Sequence, residues 1–374
     1  MRYFILIAGT FILLLGKPCR LTAQEQRSDE TLINVPNHPI PFNPEKYICL
    51  RSEKPLKIDG KQNEKAWQNA RWSEPFVDIE GKLRDKPDYQ TRVKMLWDDR
   101  YFYIFAQMEE PHIWGRIRER DAVIYHDNDF EVFIDPDGDT HHYAEVEMNA
   151  LNTLWDLLLT KPYRDGGIPL TNWDIKNLET AVHIEGTLNN PNDTDQYWTA
   201  EIAIPWRALG KIIPQAKKPR NDDQWRVNFS RVQWKTEIEN NEYRKKRDEH
   251  GNLLPEQNWV WSPQGRVNIH RPETWGIVQF SKEPAGSGKV AFISNQKYQI
   301  KWYLRNLYYR QNQFHRENGT YADKREQLRP ESLPELPFSK EISISSGSFW
   351  YVISLSTPNN GEWFIKEDGE IRQR

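Results

Sequence analysis

Cysteine is scarce in this sequence: the 374 residues contain two, Cys19 and Cys49. Cys19 falls in an apolar N-terminal segment that has the character of a leader, so Cys49 is the one cysteine expected in the mature chain. A single thiol cannot form an internal disulfide, and a chain of this length can bury a sizeable core instead. We therefore predict a fold held together by packing. Cys49 is expected to be a small buried residue, because no Cys–His pattern accompanies it.

Long hydrophobic runs and an excess of one charge are also missing. The formal net charge is −3, which argues against a nucleic acid partner. The apolar run from Tyr3 to Leu15 is shorter than the roughly 20 residues of a spanning helix. Because Leu21-Thr22-Ala23 follows as a cleavage region, residues 1–23 have the pattern of a secretory signal peptide. We expect a secreted or periplasmic protein without a membrane span, and Lys17-Pro18 disfavours lipid attachment at Cys19.

Composition divides the rest of the chain into four segments. Residues 24–48 are polar and rich in proline, which disfavours regular structure and predicts an arm. Residues 49–281 contain short strands separated by turn residues. Residues 282–289 have the composition of a linker. Residues 290–374 are predicted to form a small α+β unit, with one long helix from Asn295 to Arg316.

The spacing of strands and turns in residues 49–281 predicts an antiparallel β-sandwich. A short helix is expected from Asn63 to Ala70, capped by Asp59 or Asn63. Pro205 should end the strand that precedes it. The predicted strands are Thr91 to Trp97, Tyr101 to Met108, Phe130 to Ile134, Tyr143 to Met148, Ala181 to Glu185, Trp198 to Ile204, Trp225 to Trp234 and Gly276 to Phe280.

The segment from Tyr125 to Asn149 predicts one β-hairpin with two different faces. Apolar residues alternate with polar residues on both sides of an acidic turn, residues 135–139. One face is expected to build the core. The other face is expected to offer carboxylates and an amide to a polar ligand. The sequence also contains 16 Trp and 16 Tyr, whose rings pack in sandwich cores or stack on sugar rings.

Several separated motifs occur in order along residues 50–281. They are Ile58-Asp59-Gly60, Glu64-Lys65-Ala66-Trp67, Val93 to Tyr103, Asp129 to Asp135, Trp198 to Trp206, Val227-Asn228-Phe229 and Pro272 to Gly276. This ordered set resembles the family 9 carbohydrate-binding modules and their sandwich relatives. The resemblance implies a β-sandwich that binds sugars or the ends of glycan chains. It also implies that calcium is often present, and that the module works alongside xylanases and other glycan-degrading enzymes.

The resemblance implies that this sequence keeps some of the family's site residues and replaces others. Glu131 matches the glutamate that binds the sugar, and Tyr125 occupies the first aromatic clamp position. The second clamp position holds Ile269, and Glu147 stands where the family has an arginine that helps to hold the sugar. These two departures put the familiar mode of sugar binding in question.

Other side chains could replace the lost parts of the site. We expect Leu154 to Gly167 to be an inserted loop, so Trp155 in that loop and Trp173 after it could rebuild an aromatic platform, although core packing is the competing interpretation. His270 and Arg271 could donate hydrogen bonds to hydroxyls or to an acidic sugar. The predicted carbohydrate site therefore consists of Tyr125, Glu131, Glu147, Trp155, Trp173, His270 and Arg271.

A structural calcium ion is a further possibility at the acidic turn, since Asp135, Asp137 and Asp139 place oxygen ligands at alternate positions. The turn is not an EF-hand, because Thr140 and Val146 replace the glycine and the glutamate of that motif. Neighbouring His141 and His142 should point to opposite faces of a strand, which disfavours a transition metal. No organic cofactor is expected.

We therefore predict an exported protein that binds oligo- or polysaccharide in xylan-type or related glycan breakdown, without catalysis. A first alternative is a hydrolase acting on O-glycosyl bonds. Its carboxylate pair would come from among Asp129, Glu131, Glu145 and Glu147.

Two further alternatives remain open. A haem-binding sandwich relative would use Met108 or Met148 as a ligand. A scaffold would dock another protein through residues 290–374.

Overall fold

A computed structural model describes residues 40–210, 217–288, 290–329 and 333–374. The predicted signal peptide, Cys19 and most of the arm lie outside these residues. The strands are β1 (Lys46–Arg51), β2 (Val77–Asp78), β3 (Thr91–Trp97), β4 (Tyr101–Glu109), β5 (Asp129–Asp135), β6 (Tyr143–Asn149), β7 (Leu154–Leu159), β8 (Pro169–Leu170), β9 (Glu179–Glu185), β10 (Tyr197–Pro205), β11 (Gln224–Gln233), β12 (Thr236–Glu239), β13 (Glu242–Lys245), β14 (Gln257–Val260), β15 (Gly276–Pro284), β16 (Glu341–Ser346), β17 (Tyr351–Thr357), β18 (Gly361–Lys366) and β19 (Ile371–Gln373). The α-helices are α1 (Lys65–Asn69), α2 (Trp206–Leu209) and α3 (Gln296–Asn318).

Strands β1 to β11, β14 and β15 form a β-sandwich, which confirms the predicted fold class. One layer has the strand order β8-β7-β6-β5-β11-β15, and β14 pairs with β11 and with β2. The other layer has the order β3-β4-β10-β9. Strand β1 joins the layers, because its first four residues and Arg51 pair with β15, and its last two residues pair with β3. Both of these pairings are parallel, which the prediction of a purely antiparallel sandwich missed.

The main core lies between the two layers. Phe130, Val132 and Ile134 of β5 point into it, as the alternation predicts. Met108 and Met148 are also fully buried there, so both are core side chains, which disfavours the haem alternative. Cys49 is buried in the same core as a free thiol.

Two predicted motifs are joined by one buried carboxylate. Glu201 of β10 accepts hydrogen bonds from the backbone N–H groups of Asp59 (2.9 Å) and Gly60 (2.8 Å). It also accepts from the indole N–H of Trp67 in α1 (2.8 Å). Glu201 therefore connects the Ile58-Asp59-Gly60 turn and α1 to the sheet through hydrogen bonds. This contact requires the turn, Trp67 and Glu201 to be present in the same sequence.

Three local expectations were wrong. Residues Leu154–Leu159 form strand β7 rather than part of a loop. Helix α1 begins at Lys65 after Glu64, and no side chain caps it, so neither Asp59 nor Asn63 acts as the cap. The linker was expected from residue 282, yet β15 continues to Pro284.

Residues 290–374 contain α3 and the four-stranded sheet β16-β17-β18-β19. The face of α3 that carries Ile300, Tyr303, Leu304 and Leu307 is buried in the core of this part. Gly319 ends the helix in the left-handed region (φ 74°), as predicted. The described residues from 40 to 374 belong to one compact unit, and the division into two domains stays a prediction. No helix in the described part of the chain is long and apolar enough to cross a membrane.

Candidate functional site

A row of polar side chains crosses the outer face of the β7-β6-β5-β11 layer. Directly paired residues on neighbouring strands share a face. Trp155 pairs with Glu147, Glu147 with Glu131, and Glu131 with Ser230. We call Trp155, Glu147, Glu131 and Ser230 the outer-face row. It lies on the opposite side of the sheet from Val132 and the main core, as the hairpin alternation predicts.

This outer face is covered, whereas the sequence suggested that it would be open. Glu131 is 5% exposed and Glu147 is 2% exposed. Two apolar clusters flank the row on the same face. One contains Trp114, Val232, Trp234 and Tyr243, and the other contains Phe133, Tyr143, Leu157, Leu159 and Trp275. Segments distant in sequence therefore cover the carboxylates.

Three carboxylates of this face lie close together. One oxygen from each of Asp129, Glu131 and Glu147 lies within 4.8 Å of the others. We call these three residues the carboxylate cluster. Burial raises the pKa of Glu131 to about 7. Burial, with Glu131 nearby, raises the pKa of both Asp129 and Glu147 well above the usual range.

Several buried polar atoms around the cluster make no hydrogen bond within the described residues. They are Asp129 Oδ2, Glu145 Oε2 and Trp155 Nε1, whereas the Ser230 hydroxyl interacts with the Glu131 carboxylate. Buried donors and acceptors are rarely left without partners, because each costs about 1–3 kcal/mol when unsatisfied. These atoms all belong to one face of the sheet, and together they offer both donors and acceptors to a ligand.

Tyr125 lies beside the outer-face row and is half-buried. It sits in the single 3-10 turn Ile124–His126, and its backbone N–H donates to Glu147 Oε2 (3.1 Å). The indole N–H of Trp234 donates to the Tyr125 carbonyl (2.8 Å). Lys245 Nζ lies 3.3 Å from the centroid of the Trp234 ring. Burial lowers the pKa of Lys245 to about 8.

The structure brings Tyr125, Glu131, Glu147 and Trp155 together, but it places the other predicted site residues elsewhere. Trp173 packs against the main core between the layers, on the inner side of the sheet. This contact agrees with the core-packing interpretation of that residue.

His270 lies in an aromatic cage beside the row. Its ring contacts those of Phe133, Tyr143 and Tyr163, and its Nδ1 lies 3.0 Å from the Tyr143 hydroxyl. Burial, with the Arg164 guanidinium nearby, lowers the pKa of His270 to about 3. Ile269, at the second clamp position, packs against the same aromatic cluster. A neutral, caged His270 is therefore a packing residue in this structure.

Arg271 lies in an ionic network between the sandwich and α3. It is 2% exposed, and its Nη2 donates to the Tyr309 hydroxyl (3.0 Å) of α3. Its Nη1 donates to the Gln264 carbonyl (2.9 Å), and its Nε lies 3.4 Å from Glu273. These partners occupy the guanidinium, which leaves it little capacity to bind a sugar.

The acidic turn that suggested calcium is stabilised by other groups. Oxygens of Asp135, Asp137 and Asp139 do lie within 4.8 Å of one another. However, Asp135 accepts from the N–H groups of Gly138 (2.8 Å) and Thr140 (3.0 Å). Lys301 Nζ, from α3, donates to the carbonyls of Asp137 and Gly138. This geometry fits a lysine-bound turn better than a calcium loop, and calcium at this turn stays a prediction.

Sequence reasoning missed Ser230, Trp234 and Lys245 as neighbours of the site. Ser230 was visible only as one residue of a predicted strand. Its place beside Glu131 depends on the pairing of β5 with β11, which joins segments about 100 residues apart. Trp234 was visible only as the last residue of the predicted strand Trp225 to Trp234, and the β12-β13 hairpin that carries Lys245 was not predicted.

Comparison with known proteins agrees with the fold. A family model described as carbohydrate family 9 binding domain-like matches residues 58–247, just over half of the chain. The chain belongs to this family. No match was found among curated proteins.

Two solved structures similar to this chain are family 9 carbohydrate-binding modules from Caldicellulosiruptor kristjanssonii. The complex with cellotriose is 15% identical, with a TM-score of 0.41, over 67% of this chain and all of that chain. The complex with glucose is 16% identical, with a TM-score of 0.40, over 63% of this chain and 96% of that chain. Because both TM-scores are below 0.5, these likenesses define neither a ligand nor a site here.

Proposed function

We propose that this protein binds carbohydrate at the outer-face row, without catalysis, as an exported component of xylan-type or related glycan breakdown. Family membership supports carbohydrate binding in general. The observation that carries the proposed location is the set of unsatisfied buried polar atoms on this one face, from Trp155 Nε1 to Asp129 Oδ2. A saccharide offers many hydroxyls, which both donate and accept hydrogen bonds, so it can satisfy such a set.

The rings of Tyr125 and Trp155 flank Glu147 in this mode of binding. Tyr125 donates its backbone N–H to Glu147, and Trp155 is the direct partner of Glu147 on β7. Both residues are half-buried, and aromatic rings of this kind stack on sugar rings. Glu131 and Glu147 below them would accept hydrogen bonds from hydroxyls. The second aromatic contact therefore comes from β7 rather than from the position of Ile269.

Isothermal titration calorimetry with xylo-, cello- and manno-oligosaccharides tests the proposal on the full chain. We expect one saccharide class to bind, and Glu131→Gln to weaken it at least tenfold. Glu237→Gln is the matched control, since Glu237 is exposed on β12, and it should leave the affinity unchanged. Reducing ends should not accumulate. If they accumulate and Glu131→Gln abolishes them, the hydrolase alternative replaces this proposal.

The expectation of a protein partner for residues 290–374 stays a prediction. The side chain of Phe349, in the turn before β17, is 87% exposed. That exposure alone does not identify a partner.

A further inference from the structure

One end of the outer-face row lies beside a lysine. Lys245 of β13 is half-buried, and its Nζ lies 3.3 Å from the centroid of the Trp234 ring. The Trp234 indole N–H donates to the Tyr125 carbonyl (2.8 Å), and the Tyr125 backbone N–H donates to Glu147 (3.1 Å). The Lys245 ammonium group is therefore connected to the proposed sugar site through Trp234 and Tyr125.

The ammonium group of Lys245 keeps hydrogen-bond donors free. It carries three N–H donors, and an aromatic ring contacts one side of it. No described residue accepts a hydrogen bond from Lys245 Nζ or forms an ion pair with it within 4.0 Å. By contrast, Lys94 Nζ donates to Gln62 Oε1 (2.8 Å) and to the Trp67 carbonyl (2.7 Å). Lys301 Nζ donates to two backbone carbonyls. Lys245 therefore has a capacity to bind a ligand that these two lysines lack.

The acidic groups around Lys245 do not neutralise it. The charges of Asp127, Glu256 and Asp129 act on the ammonium group. Asp127 Oδ2 already accepts hydrogen bonds from two backbone N–H groups and from Asn149 Nδ2 (3.0 Å). Burial raises the pKa of Glu256, and it raises the pKa of Asp129 well above its usual range, so both carry less negative charge. Burial also lowers the pKa of Lys245 to about 8, so the loss of solvent outweighs the attraction of the three acids.

Two basic groups face Lys245 as well. The charge of Arg116 opposes that of Lys245, and its guanidinium lies 4.0 Å from the exposed Glu242. The His126 ring contacts the Tyr125 ring, with 4.9 Å between the centroids. Burial, with Lys245 nearby, lowers the pKa of His126, so this imidazole is neutral at neutral pH. A carboxylate of a ligand at this end of the row would therefore meet two cations.

We infer that Lys245 makes the site selective for acidic saccharides, because it donates to the carboxylate of a uronic acid while the outer-face row binds the hydroxyls of the adjoining sugar. This inference rests on the proposed function and names the class of saccharide. The Trp234 ring holds the ammonium group in place, and a hydrogen bond between ammonium and carboxylate is about twice as strong as a neutral one. A neutral saccharide lacks this one contact and keeps the others.

Isothermal titration calorimetry on the full chain with one pair of ligands tests this selectivity. The acidic ligand is a xylo-oligosaccharide with a glucuronic acid branch. The neutral ligand is the same oligosaccharide after its carboxyl group has been reduced to an alcohol, so the two differ in a single functional group. We expect the acidic ligand to bind about tenfold more tightly at neutral pH, because hydrogen bonds between charged groups are the stronger kind.

Substitutions at two neighbouring lysines locate the contact. Lys245→Met removes the charge and keeps an unbranched side chain on the Trp234 ring, so it should weaken the acidic ligand about tenfold and leave the neutral ligand unchanged. Lys246→Met removes the same charge from the next residue, which is exposed, and should leave both affinities unchanged. Lys245→Arg keeps the charge and should retain the preference for the acidic ligand. Thermal melting verifies the folding of each variant.

The pH dependence provides a measurement that a packing role for Lys245 would not affect. Since the pKa of Lys245 is about 8, the preference of the wild-type protein for the acidic ligand should decrease as the pH rises from about 6.5 to about 9.5. The decrease should be smaller in Lys245→Met, where Glu131, with a pKa of about 7, still titrates.

Three results would overturn the inference. Equal affinity of the wild-type protein for the two ligands, or equal weakening of both by Lys245→Met, would do so and leave the proposed function intact. Binding of neither ligand would also overturn it, and the titrations with neutral oligosaccharides decide separately on the proposed function.

Discussion

Replacing Glu273 tests the ionic network that joins the sandwich to α3. Glu273 is 7% exposed, and its Oε2 accepts from Arg164 Nη2 at 2.9 Å. Its Oε1 lies 3.4 Å from Arg271 Nε and accepts from the Tyr309 hydroxyl. Although burial opposes ionisation, Arg164, Arg305 and Arg271 hold the pKa of Glu273 well below its usual range. The carboxylate is therefore charged at neutral pH and is shared by two buried guanidinium groups and a hydroxyl.

Glu273→Gln removes the charge and keeps the shape of the side chain. When the new amide N–H group faces Arg164, a donor meets a donor. Arg164 then retains the His270 carbonyl (3.2 Å) and, as its one acidic partner among the described residues, the more distant Asp165 (3.5 Å). Removal of one partner from a buried ion pair costs about 3–5 kcal/mol. That loss lowers the melting temperature by on the order of 10 °C. Urea denaturation followed by tryptophan fluorescence measures the free energy of unfolding.

Two controls make this result specific. Glu249→Gln alters an exposed glutamate, with a side chain 86% exposed, and should change the free energy of unfolding by less than about 0.5 kcal/mol. Tyr309→Phe should be strongly non-additive with Glu273→Gln, because both substitutions break the same hydrogen bond. A decrease of less than about 1 kcal/mol in the free energy of unfolding for Glu273→Gln would show that the network contributes little to stability. Arg271 would then be available for another function.

Two further predictions concern packing. The depressed pKa of His270, about 3 against 6.5, means that unfolding takes up a proton at acidic pH. Stability should therefore fall as pH decreases below 6.5, by up to about 2 kcal/mol at pH 5. His270→Gln should remove this contribution to the pH dependence of the free energy of unfolding, measured by urea denaturation at several pH values. His142→Gln, at an exposed histidine, should retain it. Equal pH dependence in the two variants would contradict the low pKa of His270. Gly60→Ala should destabilise the protein more than Gly166→Ala, although both have positive φ. A Cβ at Gly60 would lie 2.7 Å from the His183 backbone nitrogen, whereas one at Gly166 meets nothing within 4 Å. Equal thermal shifts would contradict that difference.

Much of the sandwich could be predicted because its strands alternate with period two. In β5, Phe130, Val132 and Ile134 all lie on the core side, since a strand places alternate residues on opposite faces. Strand β7 was missed because Leu157, Leu158 and Leu159 form an apolar run without alternation. Both faces of β7 are buried there, so its sequence lacks the signal that identified β5.

The candidate site was less predictable, because its environment comes from distant segments. The sequence indicates that Glu131 and Glu147 share a face. Trp234 and Trp275, which belong to the clusters that cover this face, lie about 100 and about 140 residues after Glu131. Arg271 follows the second clamp position and so suggested a sugar contact. Its partner Tyr309 lies on a helix whose docking no local pattern reveals.

Saccharide binding by two matched tryptophan variants tests the central claim most directly. Trp155 lies on the outer face beside Glu147, and Trp173 packs on the inner side of the sheet. Both are half-buried, so Trp155→Leu and Trp173→Leu remove rings of similar exposure. With folding verified by thermal melting, calorimetry should show affinity at least tenfold lower for Trp155→Leu, about 1.4 kcal/mol, and nearly unchanged for Trp173→Leu. Equal losses, or loss only in Trp173→Leu, would contradict carbohydrate binding at the outer-face row.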